Sequence, residues 1–280
     1  MDIQKLIGRC DHTLLRPDAV ASEIKALCDQ AARYGAAAVC IAPCHVAGAR
    51  AYANGTLRIC AAVGFPGGCC TTAVKAFETG DAVSNGADEI DMTVNPAMVK
   101  DGCWSDVINE IRAVREACPG KTLKVVIETS LLSTEEKVHM CAAISQCGAD
   151  FIAVSAGPDV DAAREDVVLL RQYCARNVGV KVSASFSALE EASELLDLGA
   201  DRLGSGEIIK LALDAGLSQE QPVNSPAEAG AGETDQQPQQ GEGQADLPQQ
   251  LQGGAGIVPD IPLQDHVDQQ SDQELDGGDG

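Results

Sequence analysis

The sequence predicts a TIM barrel, an eight-stranded parallel (β/α)8 fold, followed by a disordered acidic C-terminal tail. Eight β-rich runs alternate with helix-period segments in the first 217 of the 280 residues, and such a barrel takes about 250 residues. The tripeptide Gly-Ala-Asp recurs at 86–88, 148–150 and 199–201, each time where a helix should stop and a strand begin. The composition changes sharply after residue 217, which separates a barrel (1–217) from a tail (218–280).

The predicted elements follow one another in a regular order. Strands span 10–14, 37–42, 57–63, 89–94, 123–128, 151–155, 178–183 and 202–204. Helical segments follow them at 20–34, 45–53, 71–85, 104–117, 134–147, 160–176, 188–198 and 207–215. Ser133 precedes two acids and is a predicted N-cap, while Gly35, Gly86, Gly148 and Gly199 are predicted helix stops. A doubly wound sheet is the competing fold, but no Gly-x-Gly-x-x-Gly follows the first strand to support it.

The tail differs from the barrel in charge and composition. Residues 218–280 contain 13 of the 42 acidic residues and none of the 20 Lys and Arg, so the net charge of −22 divides into −9 and −13. The tail has no aromatic residue and is rich in Gln, Gly and Pro, so we expect it to be disordered and dispensable for folding. Its apolar cluster at 257–263 is a candidate contact for a protein partner. An inert extension is the simpler interpretation.

Composition also excludes some classes of function. An acidic chain disfavours nucleic acid as a partner, because phosphate neutralisation needs a basic face. No apolar run reaches the roughly 18 residues of a membrane span, and the first residues lack the apolar stretch of a signal peptide. We therefore expect a cytoplasmic protein, with no membrane partner, whose twelve cysteines are reduced thiols.

The cysteine and histidine spacing predicts no metal site. There is no Cys-x-x-Cys pair, and the four histidines share no ligand spacing. Cys69 and Cys70 are adjacent thiols in the loop after the third strand, where they could bind a soft metal or form a redox pair. Two cysteines that fill variable loop positions are the simpler interpretation.

Ionisable residues interrupt the apolar strands. Asp91 lies in the fourth strand, Lys124 and Glu128 lie on one face of the fifth, and Lys181 lies in the seventh. An unpaired buried ammonium is costly. These four residues therefore predict either a structural ion-pair network or a functional site in the barrel lumen.

Several motifs together are specific, and their order and spacing resemble deoxyribose-phosphate aldolase from about residue 3 to 213. The motifs are Asp11-His12-Thr13-Leu14-Leu15, Gly64-Phe65-Pro66-Gly67-Gly68, Val74-Lys75-Ala76-Phe77-Glu78, Asp88-Glu89-Ile90-Asp91-Met92, Leu123-Lys124-Val125-Val126-Ile127-Glu128 and Gly148-Ala149-Asp150-Phe151-Ile152. The resemblance implies a cytosolic TIM-barrel class I aldolase, without metal or other cofactor, that cleaves 2-deoxy-D-ribose 5-phosphate to glyceraldehyde 3-phosphate and acetaldehyde.

The resemblance also implies roles for individual residues. Asp91 matches the fourth-strand aspartate and Lys181 the seventh-strand lysine, both of which assist proton transfer, and Lys124 matches the fifth-strand lysine. The family has its Schiff-base lysine on the sixth strand, in Phe-Ile-Lys-Thr-Ser-Thr-Gly. This chain reads Phe-Ile-Ala-Val-Ser-Ala-Gly at 151–157, so Ala153 occupies the Schiff-base position.

The phosphate loops depart from the family as well. Where the family has Ser-Gly-Gly-Ile-Arg after the seventh-strand lysine, this chain has Ser183, Ala184 and Ser185, with neither the glycines nor the arginine. The eighth strand ends in Ser205-Gly206-Glu207, which places a carboxylate where the family binds phosphate. No C-terminal tyrosine is available, because the last tyrosine is Tyr173.

Three functional hypotheses remain from the sequence. The first is a family member with weak or no deoxyribose-phosphate cleavage and a binding or regulatory role. The second is an active aldolase that uses Lys181 for the Schiff base, on an unphosphorylated aldehyde or another sugar. The third is chemistry without an imine. The expected partners are a small sugar phosphate or aldehyde, with a homodimer and a tail-bound protein as further candidates.

Overall fold

The computed structural model describes residues 2–157 and 159–217, and these form a closed barrel of eight parallel strands. The predicted tail, including the cluster at 257–263, lies outside the described residues. Each strand pairs with the next one, and Cys10 of the first strand pairs with Leu203 of the last, so the doubly wound alternative is wrong. The strands are β1 Cys10–Leu14, β2 Ala38–Ile41, β3 Ile59–Val63, β4 Glu89–Thr93, β5 Thr122–Glu128, β6 Phe151–Gly157, β7 Gly179–Ala184 and β8 Arg202–Ser205.

Helices surround the barrel in the predicted order, and two short ones were not predicted. The helices are α1 Ile3–Ile7, α2 Ala21–Tyr34, α3 Val46–Ala53, α4 Thr72–Ser84, α5 Pro96–Lys100, α6 Trp104–Ala117, α7 Thr134–Gln146, α8 Val160–Tyr173, α9 Leu189–Asp197 and α10 Ile208–Asp214. The unpredicted α1 and α5 have five residues each, too few to show a helical period, but Asp2 and Asn95 cap them. None of the described helices is long and apolar enough to cross a membrane.

Strand alternation sorts the barrel into an apolar shell and a polar lumen. On β4, Ile90 and Met92 face the helices and belong to the main hydrophobic core, whereas Glu89 and Asp91 face the lumen. The lumen has its own small apolar cluster of Ala38, Cys40 and Cys60. Charged residues in the strands are therefore concentrated inside the barrel.

The three Gly-Ala-Asp repeats close the N-terminal end of the barrel. Asp88, Asp150 and Asp201 each accept a hydrogen bond at 2.8–3.0 Å from the backbone N–H of a residue at or beside the start of the preceding strand. An arginine from a neighbouring helix pairs with each aspartate. At Gly86, with φ +105°, a Cβ would lie 2.7 Å from the Arg50 side chain, so the glycine makes room for the arginine. These contacts stabilise the N-terminal end of the barrel, whereas active sites of TIM barrels lie at the opposite, C-terminal end.

Candidate active site

Six charged side chains meet in the lumen and balance one another in charge. Three are carboxylates and three are cations, and five of the six residues are at least nine-tenths buried. They are Asp11, Glu89, Asp91, Lys124, Lys181 and Arg202. Because buried charges are stable only when paired, the equal numbers explain how so polar a lumen is tolerated.

Asp91 lies between the two lysines predicted from the sequence. Its Oδ2 is 2.5 Å from Lys181 Nζ, and its Oδ1 is 2.8 Å from Lys124 Nζ. Lys181 also donates to Asp11 Oδ2 at 2.6 Å, while Lys124 Nζ is 2.7 Å from Glu89 Oε2. Each ammonium group therefore has two carboxylates in contact.

One member of the predicted network does not take part. Glu128 was expected in an ion-pair network with Asp91, Lys124 and Lys181, but its Oε1 accepts a hydrogen bond from Ser130 Oγ at 2.8 Å. In the described part of the chain Lys124 pairs with Asp11, Glu89 and Asp91 instead. The prediction for Glu128 was wrong. Lys124 and Glu128 share a face of β5, but they lie four residues apart along this seven-residue strand and therefore at different depths of the barrel.

The ion pairs keep both lysines protonated. Burial alone would lower the pKa of Lys181, but the carboxylates of Asp11 and Asp91 outweigh it and raise that pKa well above its usual value. The pKa of Lys124 is raised in the same way, by Asp91 above all among its neighbours. Burial would raise the pKa of Asp91, yet the two ammonium groups hold it well below its usual range. Neither lysine is a free amine near neutral pH.

Ala153 lies in the same lumen, between the two lysine-bearing strands. It is fully buried and pairs with Val126 of β5 and Lys181 of β7. Its assignment to the Schiff-base position stays a prediction from the family resemblance. The sixth strand thus contributes a methyl group, and no amine, to this level of the lumen.

Two thiols that sequence analysis did not single out complete the lumen. Cys60 Sγ lies 3.1 Å from Asp91 Oδ1 and 3.2 Å from Lys124 Nζ, and Cys40 Sγ lies 3.7 Å from Asp91 Oδ2. Burial raises the pKa of the Cys60 thiol well above its usual value, and Cys40 and Asp91 raise it further. The signal was present in the sequence, since both cysteines stand at lumen-facing positions of their strands.

A cavity of about 620 Å³ opens at the C-terminal ends of β1, β6, β7 and β8. All six predicted phosphate-loop positions line it: Ser183, Ala184, Ser185, Ser205, Gly206 and Glu207. Ser205 Oγ donates to Glu207 Oε2 at 2.6 Å and accepts from the Glu207 N–H at 3.0 Å. The Ser185 N–H donates to Gly157 O, so this peptide group is already used within the loops.

The charges around the cavity do not suit a phosphate dianion. Among the described lining residues Arg16 is the one with a full positive charge, and Asp18 and Glu23 bind it at 2.6 and 2.5 Å. His12 also lines the cavity, and burial lowers its pKa. Its Nε2 lies 2.9 Å from Gln30 Oε1, while Nδ1 has no hydrogen-bond partner.

Cys69 and Cys70 lie apart from the lumen cluster. Both are exposed, and Cys69 Sγ donates to Gly67 O at 3.2 Å. Neither thiol belongs to a group of three possible metal ligands among the described residues.

Comparison with known proteins identifies the family. The profile of the DeoC/LacD family aldolases matches residues 5–207. The chain belongs to this family. It is 42% identical over 212 residues to the deoxyribose-phosphate aldolases of Streptococcus agalactiae serotype Ia and Streptococcus pyogenes serotype M4, covering 75% of this chain and 95% of each relative.

Solved structures show the same fold. The aldolase QR15 superimposes with a TM-score of 0.70 at 30% identity, over 75% of this chain and 95% of that one. A tetrameric deoxyribose phosphate aldolase from Aeropyrum pernix superimposes with a TM-score of 0.70 at 21% identity, over 77% and 94% of the two chains. The second similarity supports the fold alone.

Proposed function

We propose that this family member does not carry out ordinary cleavage of 2-deoxy-D-ribose 5-phosphate and acts as a binding or regulatory protein. The proposal rests on Ala153, which is fully buried and pairs with Lys181, at the position where the family resemblance implies the Schiff-base lysine. Imine chemistry needs an unprotonated amine that attacks the carbonyl carbon, expels water and then accepts the electron pair of the breaking C–C bond. Alanine supplies none of these steps. Deleting a covalent nucleophile can cost on the order of 10⁶ in rate.

The remaining lysines do not readily replace the missing one. Lys181 and Lys124 are buried, and each is held by at least two carboxylates. To attack a carbonyl, either would have to lose its proton against a raised pKa and leave carboxylates unpaired in the lumen. Both are better suited to hold the lumen together than to act as nucleophiles.

The cavity supports a ligand without a phosphate group. Hydroxyl groups from Ser155, Ser183 and Ser205 line it together with the carboxylates of Glu23 and Glu207. Hydroxyl groups donate hydrogen bonds to a polyol or a hydrated aldehyde and accept them from it, and carboxylates accept them, whereas the negative carboxylates repel a phosphate ester. The proposed ligand is therefore a small unphosphorylated sugar or aldehyde.

The first experiment measures turnover and binding on the full chain. We expect no glyceraldehyde 3-phosphate from 2-deoxy-D-ribose 5-phosphate, with the Streptococcus agalactiae relative as the positive control in the same assay. In thermal melts, 2-deoxyribose should stabilise the protein more than its 5-phosphate does. In a Glu207→Gln variant, which lacks the negative charge, the stabilisation by the 5-phosphate should approach that by 2-deoxyribose. Clear retro-aldol turnover by the unsubstituted chain would refute the proposal.

The second candidate function is an aldolase that uses Lys181. One observation favours it: Lys181 and Ala153 are register partners, so Lys181 lies on the strand next to the proposed Schiff-base position. Borohydride reduction in the presence of a short aldehyde would trap an imine, and peptide mapping would locate it. An adduct on Lys181 that disappears in Lys181→Met but persists in Lys124→Met would establish this alternative. No adduct on either lysine supports the first proposal.

Oligomerisation and the tail remain proposals as well. We propose a homodimer and an inert tail, with a contact between residues 257–263 and a protein partner as the alternative. Light scattering after size-exclusion chromatography of the full chain and of residues 1–217 tests the first. An unchanged mass and melting temperature on truncation would assign the tail no role in folding or assembly.

A further inference from the structure

A second cavity lies at the N-terminal end of the barrel, away from the candidate active site. Its volume is about 460 Å³, and its lining residues lie at or just before the starts of β1, β2, β3, β6 and β8. Three arginines line it, namely Arg9, Arg58 and Arg202. In the described part of the chain Asp201 is the one carboxylate of the lining. We infer that this cavity binds a small dicarboxylic acid.

Two of the three arginines have hydrogen-bond donors to spare. Among the described residues Arg58 and Arg202 have carboxylate partners, and Arg9 has none. The Arg58 side chain is 66% exposed, and its Nη1 lies 3.9 Å from Glu89 Oε1, at the limit of an ion pair. A guanidinium group has five N–H donors in a planar fork that fits a carboxylate. Arg9 and Arg58 are therefore the groups that bind the ligand directly.

The spacing of these two arginines suits a ligand with two anionic ends. Arg9 immediately precedes β1 and Arg58 immediately precedes β3, and β2 lies between the two strands. Neighbouring strands are about 4.8 Å apart, so the two side chains start about 10 Å from each other. Each guanidinium pairs with one carboxylate through two parallel hydrogen bonds. A dicarboxylate therefore occupies both arginines at once.

Arg202 is the fixed member of the three. Its side chain is 11% exposed, its Nη1 donates to Asp11 Oδ1 at 2.7 Å, and its Nη2 lies 3.5 Å from Glu89 Oε1. Its guanidinium carbon lies 5.8 Å from the centre of the Phe151 ring, which also lines the cavity. These contacts hold the side chain in place. Arg202 therefore contributes positive charge to the cavity without serving as a flexible arm.

The carboxylates near the cavity are already neutralised. Asp201 accepts a hydrogen bond from the Val180 N–H at 2.9 Å, and its Oδ2 lies 3.4 Å from Arg171 Nη1. Glu89 Oε2 lies 2.7 Å from Lys124 Nζ in the lumen. The positive charges of the cavity therefore exceed the negative ones, although residues 1–217 have a net charge of −9. This excess favours an anionic ligand.

Two helix ends at the cavity do not reverse this preference. Gly8 and Gly35, the C-cap residues of α1 and α2, are also lining residues. A helix C-terminus has about half a negative elementary charge, which by itself disfavours an anion. The N–H groups of both glycines donate to carbonyls of their own helices, and Gln4 Nε2 donates to Tyr34 O at 2.7 Å. Three full positive charges outweigh two such partial charges.

The test measures binding of three probes to the full chain by calorimetry near neutral pH. The probes are glutarate, acetate and inorganic phosphate. We expect one glutarate per chain, bound about tenfold or more tightly than acetate or phosphate, because glutarate makes a second charge-assisted pair. Arg9→Gln and Arg58→Gln should each weaken glutarate binding by about tenfold, since each variant removes one such pair.

Two arginines outside the cavity provide matched controls. Arg16→Gln changes the arginine of the C-terminal cavity, and Arg112→Gln changes an exposed arginine on α6. Both variants should bind glutarate as the unsubstituted chain does. Circular dichroism and thermal melts check folding. Where a glutamine variant does not fold, the lysine variant replaces it, and it should still weaken binding because it lacks the planar fork.

Three results would overturn the inference. The first is glutarate binding no tighter than that of acetate or phosphate. The second is a loss in Arg16→Gln or Arg112→Gln as large as the loss in Arg9→Gln. The third is unchanged glutarate binding in the Arg9 and Arg58 variants. The outcome is independent of the proposed function, because neither turnover nor binding in the C-terminal cavity enters the measurement.

Discussion

Ala153 and Lys181 are register partners on adjacent strands, so the proposed Schiff-base position and the seventh-strand lysine lie side by side in the barrel. Lys181 contacts Asp11 and Asp91, and these carboxylates also attract Lys124. The charge that a lysine at 153 would bring has no partner left among them. An alanine at this position leaves the three carboxylates and three cations of the lumen balanced in charge.

Restoring the lysine tests how much of the site survives. In Ala153→Lys we expect borohydride to trap an imine at position 153 with a short unphosphorylated aldehyde, because the neighbouring ammonium of Lys181 lowers the pKa of the new amine. Cleavage of 2-deoxy-D-ribose 5-phosphate should stay low, since Glu207 still lines the cavity. Peptide mapping and a coupled aldolase assay measure the two effects.

Ala153→Met is the control for this experiment, because it fills similar space without an amine.

Adding Glu207→Ser to Ala153→Lys should raise kcat/KM for the phosphate ester by about tenfold or more, since removing one like charge at close range is worth roughly 1–4 kcal/mol. The interpretation fails if Ala153→Lys forms no imine, or if the methionine variant forms one.

Acid should destabilise the barrel through its buried carboxylates. Lys181 and Lys124 outweigh burial and hold the pKa values of Asp11 and Asp91 below their usual values in the folded state. In the unfolded chain these groups return to about 3.9, so below that pH the unfolded chain binds more protons. The contribution of these two carboxylates to the free energy of unfolding should therefore be constant above about pH 5. It should fall as the pH drops below about 4.

Urea unfolding from about pH 7 to pH 3 measures this dependence. Asp91→Asn should show a shallower loss at acid pH than the unsubstituted chain, because one of the titrating carboxylates is gone. Glu116→Gln, which changes an exposed carboxylate on α6, should keep the unsubstituted slope. Equal slopes for Asp91→Asn and the unsubstituted chain would contradict the assignment.

Sequence patterns sufficed for the barrel and most of its elements. Eight strands and eight of the ten described helices were predicted within a few residues, because strand period, helix caps and the Gly-Ala-Asp stops agree with one another. The differences lie at the ends. The third strand begins at Ile59 and not at 57, and α8 ends at Tyr173 and not at 176. The last residues of an element add too little to the hydrophobic period to fix where it ends.

The lumen was predicted only in part. Alternation placed Asp91, Lys124 and Lys181 inside, and the motif register placed Ala153 beside them. Which carboxylates complete the network depends on the depth of each residue along tilted strands, and a linear sequence does not give that depth. For this reason Glu128 was included wrongly, whereas Asp11, Glu89 and Arg202 were missed although all three lie in strands.

Gly68 should be intolerant of substitution, in contrast to its neighbour Gly67. Gly68 has φ +66°, and a Cβ there would lie 2.1 Å from Val94 O. We expect Gly68→Ala to lower the free energy of unfolding by more than about 2 kcal/mol, since both the backbone conformation and the steric contact oppose a side chain. At Gly67 the nearest atom to a Cβ would be Cys69 Sγ at 3.6 Å. Gly67→Ala should therefore be close to neutral in urea unfolding, and similar losses in both variants would refute the argument.

Lys75 and Glu110 form a buried ion pair between α4 and α6, with Nζ 2.8 Å from Oε1 and both side chains fully buried. Lys75→Met leaves the Glu110 carboxylate without its ammonium partner, and breaking a buried pair from one side costs about 3–5 kcal/mol. The double variant Lys75→Met with Glu110→Leu removes both charges and should recover most of that loss, because apolar side chains then fill the same space.

The matched comparison is Lys100→Met, which breaks an ion pair of the same 2.8 Å length with Glu136 at the surface. Exposed pairs contribute about 0–1 kcal/mol, so this variant should unfold nearly as the unsubstituted chain does. Urea unfolding of the three variants distinguishes burial from pairing as the source of the cost. If Lys75→Met and Lys100→Met lose equal stability, or if the double variant is no more stable than Lys75→Met, then the buried carboxylate is not what destabilises the single variant.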